Sequence, residues 1–156
     1  MRFVFPNGWL VETPSITENG EAGNIGANNS VKGDGCTFAA APLPRGDNIE
    51  SLAKNKEFFK GWLSSQMSND VYEDVKVKKL TKVTQPDGVE VLKIDFTYTL
   101  LTRAGFTVIR KGRAVAHITD GAVVAVVTAT TELRYKEMKD SLDTMTDSFR
   151  SYPVKT

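Results

Sequence analysis

Apolar residues recur with two different periods along the chain. Between 91 and 101, Leu92, Ile94, Phe96, Tyr98 and Leu100 alternate with Lys93, Asp95, Thr97 and Thr99. That period of two places the apolar set on one side of a strand and leaves the other side wet. The extended pattern runs from 71 to 130 and predicts four successive strands, 71–84, 89–101, 106–119 and 122–130. Gln85-Pro86-Asp87-Gly88 and Asp120-Gly121 separate neighbours as hairpin turns, because glycine takes the positive φ of tight turns without steric cost. The strands are therefore expected to be antiparallel, and the first three, longer than usual, bent or bulged.

On either side of this block the period becomes helical. Ile49, Leu52, Ala53, Phe59, Trp62 and Leu63 form a stripe interrupted by Lys56, starting at a cap on Asp47 with Glu50 three residues later and ending at Ser68-Asn69-Asp70. Tyr135, Met138, Leu142, Met145 and Phe149 form a second stripe, closed by Pro153. Before Asp47, residues 3–5, 9–12 and 36–43 read as short extended pieces with Pro6, Pro14, Pro42 and Pro44 at their edges. Residues 19–35, crowded with Gly and Asn, read as a long flexible loop. A meander needing cover and two one-sided helices give an α+β class, an antiparallel sheet flanked by helices in one domain of 156 residues.

Composition narrows the function more than it names it. Lys plus Arg number 20 against 19 acidic residues, a formal net charge of +1, which excludes whole-molecule attraction to nucleic acid or an anionic bilayer. Any electrostatic contact has to be local. Cys36 is the single cysteine, so neither an intrachain disulfide nor a multi-thiolate zinc site can form. No apolar run approaches the roughly 18 residues of a membrane span. No export signal is visible at the start, which reads either as a cytosolic beginning or as a mature domain behind an added Met.

The inventory for catalysis is sparse. His117 is the only histidine, on the same side of its strand as Val115 and Thr119, where an ordinary sheet histidine outweighs a relay. Cys36, beside Thr37 and Phe38, reads as a small apolar strand residue. The Gly-rich stretch lacks the Lys-Ser/Thr of a phosphate loop, and Asn28-Asn29-Ser30 fits a glycan acceptor only formally. Acidic residues are dispersed, with no calcium loop, so no cofactor is expected beyond a weak surface site for calcium or another divalent cation. Two basic clusters remain, Lys76, Lys78, Lys79 and Lys82 on one strand and Arg110, Lys111 and Arg113 on another. Alternation puts Lys76, Lys78 and Lys82 opposite Val75, Val77 and Val83. They either keep one face wet or form a patch that docks on an acidic protein surface.

Phe3-Val4-Phe5-Pro6-Asn7-Gly8-Trp9, the helix with Phe58-Phe59, the strand after Asp87-Gly88, Arg110, Asp120-Gly121, Glu132-Leu133-Arg134-Tyr135 and Asp147-Ser148-Phe149 occur in an order that resembles the PsbP family. The resemblance spans nearly the whole chain. It implies an antiparallel sheet between helices, a fold shared with Mog1-type proteins that bind the Ran GTPase. It also implies a non-enzymatic protein of the chloroplast or cyanobacterial thylakoid lumen, attached peripherally to photosystem II and supporting the oxygen-evolving site or complex assembly. Family precursors carry targeting sequences, so the chain would correspond to a trimmed mature domain. The long 19–35 segment and short N-terminal arm point to a paralogue serving another photosynthetic complex as the alternative.

Three functions are thus in play: a lumenal accessory protein held by a cationic surface, a Mog1-like binder of a small GTPase, and an enzyme built on His117 with a nearby carboxylate. The inventory weighs against the third.

Overall fold

The computed structural model describes residues 4–12, 26–29, 33–65, 72–119 and 121–151. They form a seven-stranded antiparallel sheet, joined in chain order by β1 (Leu10–Glu12), β2 (Gly26–Asn29), β3 (Asp34–Pro42), β4 (Tyr72–Thr84), β5 (Glu90–Leu101), β6 (Thr107–Thr119) and β7 (Ala122–Thr131). In space the order is β1-β2-β3-β7-β6-β5-β4. The four strands expected from the alternating pattern are all present and consecutive, with β3 returning to lie against β7. Helices α1 (Ile49–Leu52) and α2 (Lys56–Ser65) cover one face, and α3 (Glu132–Ser148) covers the other.

Each face has its own core. Against α1 and α2 pack Leu92, Ile94, Phe96 and Tyr98 with Leu52, Phe59, Trp62 and Leu63. Against α3 pack Val91, Val115, Val126 and Phe38 with Leu142, Met145 and Phe149. Fully burying such a side chain contributes about 1.5–3 kcal/mol, so the two helical stripes account for the two-sided arrangement. Gly112 sits mid-strand in β6 opposite Phe96, and the Phe96 ring and the Thr128 carbonyl fill the space a Cβ would take. The strand tolerates this glycine because the neighbouring ring covers the gap.

The residues that carried the family resemblance are structural ties. Asp34, almost fully buried at the start of β3, accepts from Arg134 Nη2 at 2.8 Å, from Arg134 Nε at 3.2 Å and from Thr130 Oγ1 at 2.6 Å. This forked pair fixes the first turn of α3 to the sheet. At the other end Ser148 Oγ accepts from the Val4 amide at 2.8 Å, and Phe149 is buried.

Three expectations are corrected. The stretch 47–68 is two helices: Asn48, not Asp47, caps α1, sharing reciprocal 2.9 Å bonds with Ser51, while the turn closed by Asp47 N–H on Pro44 O carries the chain one residue further before the helix begins. After the turn at Ala53-Lys54, Asn55 Oδ1 accepts from Phe58 N–H at 3.0 Å and starts α2 afresh. Within the Gly/Asn-rich stretch, Gly26–Asn29 is a strand paired on both sides, to β1 and to β3. Small residues allow that pairing, and Ala27 is completely buried. Residues 19–25, Phe3, Ser30, Ser68-Asn69-Asp70, Asp120 and Pro153 lie outside the described residues.

Candidate functional site

Whether the basic residues form one patch depends on strand register. Bulges interrupt β4 between Glu73 and Lys76 and between Val77 and Lys79. A bulge sets two residues opposite one and breaks the alternation. As a result Lys78 and Lys79, neighbours in sequence, both line a groove on the α3 side, whereas Lys82, opposite Leu92, falls on the α1 side. There Lys82 Nζ pairs with Glu50 at 3.2 Å and Glu90 at 3.3 Å, and these partners raise its pKa. The expected common face of Lys76, Lys78 and Lys82 is therefore not formed. Lys76 pairs with Asp74 at 3.1 Å and lines a separate hollow with Lys60 and Ser64.

The second cluster also divides. Arg110, opposite Tyr98 on the α2 side, donates from Nε to the Tyr98 hydroxyl at 2.8 Å. Arg113 and Lys111 lie on the α3 side, but Arg113 is bonded to Asp95 at 2.7 Å and to Asp143. Burial works against its charge, and the two carboxylates more than offset that, raising its pKa. Arg113 is thus a partly buried tie between β5, β6 and α3, with little charge to offer a partner.

What assembles is a groove of about 380 Å³ at the start of α3, lined by Lys78, Lys79, Thr97, Lys111, Glu132 and Tyr135. Lys111 Nζ lies 4.7 Å from the centre of the Tyr135 ring. This cation–π contact holds the ammonium at the groove wall without neutralising it. Lys78, Lys79 and Lys111 have no acidic partner among the described residues, so three lysines face a single lining carboxylate, Glu132, once Asp95 is taken by Arg113. Next to the groove the sheet ends in exposed apolar side chains: Leu101, Phe106 and Ile109 of the β5–β6 hairpin, and Leu133, 97% exposed, in the first turn of α3. Ile109 is two residues before Lys111 on the same strand, and Arg110 pairs with Thr131 just ahead of Leu133, so register places these groups together. The arrangement can bind an acidic, partly apolar protein segment.

His117 lies at the other end of β6, half-buried, with Nδ1 2.5 Å from Ser151 Oγ. Desolvation, aided by the Arg150 charge, lowers its pKa below the ordinary value, against a weaker pull from Asp87. No carboxylate bonds the ring among the described residues, since Asp87 is held by Arg150 Nε at 2.7 Å. A Ser-His-Asp relay is not assembled. Burial pushes the Cys36 thiol up to about 12, far from a reactive thiolate. Among the described residues no group of three or more His, Cys, Asp or Glu is placed to hold a metal ion, and no helix is long and apolar enough to cross a membrane.

Sequence reasoning missed Thr97, Glu132 and Tyr135 as groove residues. Tyr135 was assigned to the apolar stripe of α3, and it does pack there, but only in part. It also missed Gln85, read as a turn residue, although Gln85 continues the parity of Val83 and so belongs to an inner face.

An antiparallel sheet with two helices on one face, a long closing helix on the other and a β4–β7 meander running in from one edge is the PsbP-like fold. The solution structure of the cyanobacterial PsbP protein CyanoP from Synechocystis sp. PCC 6803 is similar over 96% of this chain and 85% of its own, with a TM-score of 0.67 and 16% sequence identity. The crystal structure of PA94 from Pseudomonas aeruginosa, a protein of unknown function and putative regulator, is similar over 78% of this chain and 74% of its own, with a TM-score of 0.52 and 13% identity. No family model and no curated protein matches the sequence. At these identities the likeness is one of fold.

Proposed function

We propose that the protein is a non-catalytic accessory or assembly factor of a photosynthetic complex, docking on an acidic lumenal surface of photosystem II or a related thylakoid complex. The observation that carries this reading is the groove at the start of α3, where Lys78, Lys79 and Lys111 lack acidic partners among the described residues, beside an exposed apolar hairpin. The fold it shares with a cyanobacterial PsbP supplies the context. Such a surface gains its specificity and association rate from charge complementarity, and its apolar neighbours supply the buried part of the contact. Lys76, Lys82, Arg110 and Arg113 serve the fold or are neutralised locally; the partner meets the other three.

Attachment of this kind is screened by salt, because the Debye length shrinks from about 8 Å at physiological ionic strength to about 3 Å at 1 M. The protein should sediment with isolated thylakoid membranes at low ionic strength and be released by about 1 M NaCl. Retention at high salt, or capture of nucleotide-loaded Ran in place of membrane binding, would overturn the reading in favour of an apolar anchor or a Mog1-like role.

A further inference from the structure

At the opposite end of the same sheet face, away from the lysine groove, a pocket of about 110 Å³ lies under the chain that leaves α3. Val89, Val91 and Phe149 form its apolar walls, and Gln85, His117 and Ser151 its polar ones. Gln85 is only 7% exposed, and neither Oε1 nor Nε2 has a hydrogen-bond partner among the described residues. Apart from Trp62 Nε1, these are the only buried side-chain polar atoms left unpaired among the described residues. An amide deprived of both water and partners is destabilising, and native proteins keep one mainly where something else completes it.

We infer that this pocket binds a small uncharged molecule bearing a carboxamide-like edge, one hydrogen-bond donor beside one acceptor. The lining fixes the ligand's charge. Asp87 and Arg150 cancel each other at 2.7 Å, and Arg150 spends Nη1 on the Asp147 and Phe149 carbonyls. His117 is committed through Nδ1 to Ser151, and its lowered pKa keeps the ring neutral near pH 7. The pocket therefore holds no uncompensated charge to attract an ion. The Gln85 amide fixes the ligand's polarity: a carboxylate answers Nε2 and repels Oε1, an ammonium answers Oε1 and leaves Nε2 unpaired, and an amide edge pairs with both. The volume is that of about three to four waters, enough for a molecule of acetamide size. The site is independent of the docking groove and stands or falls separately from it.

The test is an NMR titration of the ¹⁵N-labelled full chain with acetamide, and in parallel with acetate and methylammonium as charged isosteres. Acetamide should give saturable shifts of the Gln85 side-chain amide and of the Val89, Val91 and Ser151 backbone amides, with at least about tenfold preference over either ion. Gln85→Met removes the unpaired amide at nearly constant volume and should fold as well as the parent while weakening acetamide about tenfold or more. Val89→Ile, which narrows the pocket and leaves Gln85 in place, should weaken it too. Linear, non-saturating shifts would mean that the pocket holds water only and would overturn the inference. Equal response to acetate or methylammonium, or unchanged acetamide binding in both variants, would do the same.

Discussion

Strand β6 carries Lys111 in its first half and His117 near its far end, both turned to the face that α3 covers, and the surroundings toward the two ends have opposite fates. At the His117 end the last turns of α3 and Phe149 close over the sheet. Among the described residues Asp87 pairs there with Arg150 and Lys93 with Asp147, and desolvation favours the neutral histidine. At the Lys111 end α3 is only beginning, the sheet runs on past it, and lysines without an acidic partner among the described residues stand beside exposed Leu101, Ile109 and Leu133. The difference comes from where the helix stops covering the strands. Closure converts polar residues into fold, and the uncovered end leaves them for a partner.

The largest expected effect comes from opening the closed end. Phe149→Ala removes a side chain that is 1% exposed and touches Phe38 with ring centres 5.8 Å apart. It should cost about 3–5 kcal/mol in equilibrium denaturation. A loss below about 1 kcal/mol would mean that the closed end is not the structural end of this face.

An intermediate effect belongs to the boundary between the two ends. Gly112→Ala forces a methyl into the Phe96 ring and the Thr128 carbonyl and should destabilise by about 1–3 kcal/mol, measured by urea unfolding. Phe96 belongs to the core under α1 and α2, so the loss should be accompanied by changed near-ultraviolet dichroism from the displaced aromatic ring.

A smaller effect is expected from pH. The folded pKa of His117 lies below the ordinary 6.5, chiefly through desolvation and then Arg150, with Asp87 opposing. The unfolded chain therefore takes up the proton first, so this contribution is complete above about pH 6.5 and is lost as pH falls toward the folded value. Melting temperature should decline between pH 7.5 and 5, and His117→Gln should remove that part of the decline. Asp87, whose pKa Arg150 lowers from 3.8, acts in the same direction only in more acidic solution. A pH profile identical in the variant would show that the ring is not desolvated as described.

Much of this contrast was legible in the sequence. Alternation in β5 identified the core under α1 and α2, and the stripe of α3 identified the one opposite, because period and burial coincide there. The basic residues were legible as types and not as a site. Lys82 left the expected face because a bulge after Val77 shifts the phase of β4, and nothing in a run of Val and Lys marks where that shift falls. Arg110 and Arg113 were lost to Tyr98 and Asp95, directly opposite them in β5, which only cross-strand register reveals. The strand Gly26–Asn29 was hidden because its composition favours turns and its pairing is supplied by β1 and β3.

The central claim is tested most directly by reversing the open end alone. The triple variant Lys78→Glu, Lys79→Glu, Lys111→Glu should stay folded, losing about 0.5 kcal/mol or less at each of the exposed Lys78 and Lys79 and about 1 kcal/mol at the half-buried Lys111, whose contact with the Tyr135 ring is removed. It should lose low-salt sedimentation with thylakoid membranes, while the corresponding Lys76→Glu, Lys82→Glu variant keeps it. Full membrane retention by the stably folded triple variant would contradict the account.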